Sequence, residues 1–230
     1  MKLNAHAVDA ATWAAAIWAH PEALAYLRGQ RHLTDASIRT WGIGYCDSNS
    51  HLMGGRVTFP IRDALGNVVA VAGRSIRDAR PRWWHFSYEK SRYVYGVHLL
   101  VPCEYVVLCE GQIDAVLLRQ SGYSACAVMG SSLDPIAAAL LRVWTGKVVV
   151  YPDNTVPDEK AFEKALGWLP RLKQVGLAAQ FPHRPYPDDK CSDPADLVVG
   201  DVAWLRRQVT ACAERLRAGD DGLRLEEVQV

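Results

Sequence analysis

An apolar strand that runs into a carboxylate, a glycine and a helix start constrains this chain more than any other feature. Tyr105-Val-Val-Leu-Cys-Glu110-Gly-Gln-Ile-Asp114-Ala-Val-Leu-Leu118 carries it, and Val148-Val-Val-Tyr-Pro-Asp153 repeats the step from strand to acid. From Glu104 onward the apolar pattern alternates strand and helix, at 105–109, 112–120, 123–129, 134–144, 147–152, 158–169 and 177–182. Strands and helices in strict alternation, joined by short loops, predict a parallel sheet with crossover helices. Ligands of such sheets lie beyond the carboxyl ends of the strands, where Glu110, Gly130 and Asp153 fall.

The first hundred residues have a different rhythm. Asp9 to Gly29 reads as helix broken at Pro21, and Thr34 to Trp41 as a short capped helix ended by Gly42 and Gly44. Arg56-Val-Thr-Phe-Pro-Ile61 and Val68-Val-Ala-Val-Ala72 flank Asp63-Ala-Leu-Gly-Asn67, which has the turn chemistry of a β-hairpin. Val202 to Arg217 has the spacing of an amphipathic helix, followed by a dozen residues expected to fray. The fold class expected is therefore α/β, with a smaller mixed subdomain at 1–103, a parallel-sheet domain at 104–200 and a helical tail at 201–230.

The chain has 230 residues, half of them apolar, which suffices for a sizeable core. No stretch approaches the ~20 apolar residues of a membrane span, and no signal segment opens the sequence, so a cytoplasmic location is expected. Cys46, Cys103, Cys109, Cys126, Cys191 and Cys212 lack C-x-x-C spacing; reduced thiols without zinc are expected. The net charge of +1 conceals a segregation. Between Arg56 and Arg92 lie Arg62, Arg74, Arg77, Arg80, Arg82 and Lys90, against Asp63, Asp78 and Glu89. Asp188 to Asp201 reverses the balance. A cationic surface facing an anionic pocket suits polyphosphate substrates, and two solvated faces are the plainer alternative.

Glu110, Asp153 and a third acidic cluster at Asp188, Asp189, Asp193 and Asp196 end successive elements and supply oxygen donors without His or Cys, which suits a pocket for a hard divalent cation, with Asp114 close behind Glu110 in sequence. Each has a structural alternative. Asp114 lies where a carboxylate favours a helix N-terminus by ~0.3–1 kcal/mol, Asp193 precedes Pro194 as a cap would, and Asp188 and Asp189 flank a proline-rich turn. Arg82, Lys90 and Arg92 surround Trp83-Trp84-His-Phe-Ser-Tyr88. Guanidinium groups neutralise phosphates and rings stack on bases for about 1–3 kcal/mol each, although both tryptophans could equally be packing residues. Ser131 and Ser132 fit a helix cap or a phosphate contact better than a nucleophile. No glycine-lysine phosphate loop is present to encode an ATP-driven helicase.

Taken together, Glu110-Gly-x-x-Asp114, Gly130-Ser-Ser, the Asp153 loop with Lys160-Ala161 and Ala165-Leu166, and Asp193-Pro-x-Asp196-Leu resemble the Toprim domain of bacterial and phage DnaG-type primases. Ala23-Leu-Ala-Tyr-Leu-Arg28, Thr40-Trp-Gly-Ile-Gly-Tyr45, Arg56 to Asp63, Gly73-Arg74 and Lys90-Ser-Arg-Tyr-Val-Tyr-Gly96 resemble the amino-terminal half of the primase RNA-polymerase domain. The likeness covers roughly residues 20 to 200. It implies a Toprim-type sheet and synthesis of short RNA primers from NTPs on single-stranded DNA, with Mg²⁺ or Mn²⁺ in a one- or two-ion site. Glu110 and Asp153 would hold metal, Glu110 also aiding deprotonation; Asp193 and Asp196 would complete the shell, and Asp114 would orient it or bind a second ion. Arg56, Arg74, Arg82, Lys90 and Arg92 would hold template DNA and the RNA–DNA hybrid. A replicative helicase and a separate zinc-binding module are the implied partners, in a phage-borne or reduced variant.

One departure bears on the chemistry. The family's second acidic motif carries Asp-x-Asp, whereas this chain has Asp153-Asn154-Thr155, with Asp158 the next acid. Losing one anion ~4 Å from a cation, at an effective dielectric of ~20, removes on the order of 4 kcal/mol before water compensates. A metal-hungry catalyst is expected, with a non-catalytic DNA-binding or replisome adaptor as the main rival and a Toprim nuclease as the lesser one.

Overall fold

The computed structural model describes residues 5–48, 50–77, 79–86, 88–130, 132–154, 165–183, 185–188 and 190–220. Asp78, Ser131, Thr155, Asp158, Lys160, Ala161 and Asp189, most of the helix expected at 158–169, and 221–230 lie outside the described residues. The chain divides into two compact units, Met1–Glu89 and Lys90–Val230.

In the first unit, helix α1 (Ala5–Ala16) runs into a 3₁₀ turn and stops at His20, because the residue before a proline is driven out of the helical region. Pro21, with no N–H to lose, opens α2 (Pro21–Ala25), which widens into a π-helical turn over Tyr26–Gln30. Helix α3 (Asp35–Trp41) begins where the Thr34 hydroxyl accepts the Ser37 N–H at 3.2 Å. It ends on Gly42 in the left-handed region at φ 64°, as its sequence predicts.

Strands β1 (Gly44–Cys46), β2 (Arg56–Arg62), β3 (Val68–Ser75) and β4 (Trp83–His85) form an antiparallel sheet in that order. The expected hairpin joins β2 to β3, its turn held by Asp63 Oδ1, which accepts the N–H groups of Leu65 and Asn67 at 2.9 Å each. Helix α1 lies so close to β1 that any side chain at Gly44 would strike the Trp13 backbone. Between them Trp13, Cys46, Met53, Val68 and Val71 are buried together.

The second unit is built on the predicted parallel sheet. Its strands β5 (Val106–Cys109), β6 (Ala125–Ala127), β7 (Lys147–Val150) and β8 (Ala178–Gln180) are ordered β6-β5-β7-β8, every pair parallel. Each is shorter than its apolar run, since the ladder extends only as far as both neighbours do. Helix α4 (Gln112–Gln120) packs on β5 and β6, and α5 (Pro135–Leu141) packs against α6 (Leu169–Gln174). Helix α7 (Pro194–Gly200) joins α4 to α8 (Val202–Arg217), which lies on β7 and β8.

Two boundaries differ from the expected division at 103/104 and 200/201. The units part after Glu89, because Lys90–Leu100 is bonded into the second: Tyr95 and Ala127 exchange both backbone bonds, at 2.8 and 3.0 Å, and the Asp134 N–H donates to Ser91 O at 3.0 Å. The expected tail helix is likewise integral. Arg215 donates to Gln180 Oε1 at 3.0 Å and to Phe181 O at 2.7 Å, tying α8 to the end of β8.

Candidate metal centre and nucleic-acid interface

From β5 the chain moves outward to β6, then returns across the sheet to β7, so the strand order reverses between β5 and β7. That switch point opens a crevice beyond the strand ends. Leu108 pairs with Val150, and the Tyr151 N–H donates to Leu108 O at 2.9 Å, so Glu110 and the Pro152-Asp153 pair leave neighbouring strands nearly level. Glu110 is half-buried, and its carbonyl accepts the Met129 N–H at 2.9 Å, drawing the loop after β6 to the same edge.

Asp114 sits in the first turn of α4 and is only 6% exposed. Its carboxylate folds back over the helix start into the space that a side chain at Gly111 would fill, and the N–H groups of Gly111 and Ala195 donate to it. Burial nevertheless pushes its pKa well above the ordinary carboxylate range, with the charges of Asp193 and Asp153 adding to the rise. Desolvation and repulsion therefore outweigh the helix N-terminus. Buried Cys109 and Tyr186 are also raised first by desolvation; Asp114 and Asp153 contribute to both, and Asp193 to Tyr186. The charges of Asp153 and Asp193 are thus felt at Asp114 although the three acids come from distant parts of the sequence, and Oδ1 of Asp153 is sealed from solvent.

Asp193 and Asp196 also hold the start of α7. Asp193 caps α7, its Oδ1 accepting the Asp196 N–H at 3.0 Å, and Asp196 Oδ2 accepts both the N–H and the hydroxyl of Ser192 at 2.7 Å. Asp188 accepts the Lys190 N–H at 3.0 Å and stabilises a turn. Among the described residues no three His, Cys, Asp or Glu side chains close around a common cation position. Asp114, Asp193 and Asp196 all spend carboxylate oxygen on backbone N–H groups. The donor set that remains fits magnesium or manganese, ions that keep several waters and accept substrate phosphates in place of protein ligands.

The basic residues separate into three kinds. Arg56 is 8% exposed, and its Nη1 donates to Pro81 O at 3.0 Å and Arg82 O at 3.1 Å; it braces the segment entering β4 from within. Arg74 and Arg82, with Tyr26, Gln30, Arg31 and Arg77, line a cavity of about 220 Å³ in the first unit. The Arg74 guanidinium lies 5.3 Å from the Trp83 ring centre, and desolvation lowers its pKa, with Arg31 and Arg82 adding to the effect. Arg77 is paired with Glu22 at 3.2 Å. Lys90 and Arg92 belong to a 3₁₀ turn of the second unit, where burial lowers the Lys90 pKa.

Trp83 and Trp84 follow the packing alternative: Trp83 lies 5.2 Å from Phe59 and Trp84 4.9 Å from Phe86, ring centre to ring centre. Arg31 and Tyr26 were not legible as site residues. They reach the cavity through the π-helical turn, which ordinary helix-forming residues do not announce.

The fold is of a recognisable class: a mixed, arginine-rich unit followed by a Toprim-type parallel sheet, the architecture of DnaG-type primase catalytic cores. The zinc-binding and RNA-polymerase domains of the Aquifex aeolicus primase superpose with a TM-score of 0.76 at 20% identity, over 89% of this chain and 60% of that one. A DnaG primase catalytic domain bound to single-stranded DNA superposes with a TM-score of 0.67 at 23% identity, over 89% and 83%. No protein-family model matches. In sequence, the chain is 30% identical to the DNA primase of Deinococcus radiodurans over 174 residues, 71% of this chain and 29% of that protein. The chain is a relative of the DnaG-type DNA primases and spans less than a third of the length of that curated relative.

Proposed function

We propose that the chain is the polymerising core of a primase, a nucleotidyltransferase that joins NTPs into a short RNA on single-stranded DNA. The observation that carries the proposal is that Glu110 and Asp153 leave adjacent strands nearly level at the switch point of a primase-like sheet, with buried Asp114 in the first turn of the helix that follows Glu110. Glu110 and Asp153 would hold a divalent cation, with Asp193 beside them. When bound, that cation supplies positive charge against the phosphoryl oxygens as the new bond forms.

The chain's own groups do the rest. Glu110 accepts the proton of the attacking 3′-hydroxyl. Asp114, whose ionisation burial opposes, fixes the starts of α4 and α7 rather than binding the ion. In the first unit Arg31, Arg74 and Arg82 take template phosphate, and Arg56 holds their wall in place; in the second, Lys90 and Arg92 contact nucleic acid. A replicative helicase and a zinc-binding module are the proposed partners, and the cytoplasm the proposed location.

A DNA-binding adaptor without catalysis is the second reading, favoured by Thr155 where the family has Asp. Incubation with single-stranded DNA, labelled NTPs and Mg²⁺ or Mn²⁺ separates the two. New RNA is expected; a gel shift without RNA identifies the adaptor, and shortened DNA a nuclease.

A further inference from the structure

We propose that Asn154 is a positioning residue: it clasps the loop leading to Asp193 onto the strand end that carries Asp153, and thereby sets how tightly the acidic cradle takes up a divalent cation. The inference rests on the functional reading above, which places a cation there.

Asn154 directly follows Asp153, and its side chain donates twice across the sheet edge. Nδ2 donates to Cys191 O at 2.6 Å and to Asp188 O at 3.0 Å, while the backbone N–H of the same residue donates to Ser192 O at 2.9 Å. All three acceptors lie within the five residues that precede Asp193. Two phenols join the same segments further from the acids: Tyr186 donates to Pro152 O at 2.6 Å, and Tyr151 donates to Pro185 O.

Of these groups only Asn154 reaches the residues next to the Asp193 cap. The chemistry is specific to a carboxamide. Its NH₂ offers two hydrogens to two carbonyls, which a carboxylate of the same shape cannot do and a methyl group cannot approach. Residues that hold metal ligands from behind tune affinity by about 10- to 100-fold.

The test compares the wild-type chain with Asn154→Ala and with Asn154→Ser, which keeps one hydrogen to donate. Mn²⁺ affinity is read from the electron paramagnetic resonance signal of the free ion. Loop opening is read without metal, in EDTA, from the alkylation rate of half-exposed Cys191, with half-exposed Cys103 as the reference. Asn154→Ala is expected to raise the Mn²⁺ Kd about tenfold, with Asn154→Ser between it and wild type. Cys191 is expected to react several-fold faster, and Cys103 at its wild-type rate. Where RNA is made, the metal concentration for half-maximal synthesis should rise in step while the plateau rate persists.

Wild-type Mn²⁺ affinity or unchanged Cys191 reactivity in Asn154→Ala overturns the proposal, and so does a wild-type chain that binds no Mn²⁺. Should Asn154→Ala not fold, Asn154→Ser decides by the same readings. A wild-type chain that binds Mn²⁺ yet makes no RNA defeats the primase reading alone, and the affinity and alkylation measurements still decide the clasp.

Discussion

Asp114 shows how a single residue can belong to a functional site and still be fixed for structural reasons. Its folded pKa is raised, so the native state binds more protons than the unfolded chain above the usual carboxylate range near 4. Its contribution is fully present below that range and is lost as pH rises toward the folded value. In metal-free buffer Asp114→Asn, which keeps an acceptor for Ala195 and Gly111, should therefore be more stable than wild type at alkaline pH. The melting temperature should also depend less steeply on pH above the usual carboxylate range. An unchanged pH slope by calorimetry would count against the buried-acid account.

Arg56 makes the opposite point: a basic residue in a basic segment whose charge is directed inward. Arg56→Ala removes two hydrogen bonds from a charged donor, each worth about 1.5–3 kcal/mol, and should lower the unfolding midpoint in urea clearly. Arg31→Ala should leave stability nearly unchanged and weaken single-stranded DNA binding. The sequence could not separate these two arginines. Composition and spacing report that a charge is present, and only packing reports which way it faces.

At the scale of elements, helix limits were legible wherever a local rule sets them. Thr34 and Gly42 bound α3, and Asp201 opens α8 by accepting the Trp204 N–H at 2.9 Å; α5 is instead capped by Asp134, next to Pro135, where a cap at Ser131 or Ser132 was expected. Asp201→Ala should accordingly cost about 1 kcal/mol, read as a shift in thermal midpoint. The π-helical turn at Tyr26–Gln30 and the left-handed His32, at φ 55°, were not legible, since both answer to neighbours that sequence does not name. The acids at the ends of β5 and β7 were legible because a parallel sheet fixes where its ligands lie. The capping role of Asp196 was not, because cap and ligand demand the same residue type.

At the scale of the whole molecule, the net charge of +1 predicts little affinity for nucleic acid, whereas the arginines of the first unit are grouped in one wall. Single-stranded DNA binding should fall steeply with salt. Replacing Arg74 and Arg82 together by alanine should flatten the slope of log K against log salt by about 1.4, at ~0.7 for each phosphate that is no longer neutralised. An unaltered slope in fluorescence anisotropy would move the interface elsewhere.

The bridge between Tyr95 and Ala127 has a practical side. Strand β6 is an edge strand of its sheet, and the stretch around Tyr95 occupies backbone groups there that would otherwise be exposed. A fragment begun at Glu104 would leave that rim bare, a template for pairing with other copies. It should scatter light and precipitate at concentrations where a fragment begun at Lys90 stays clear.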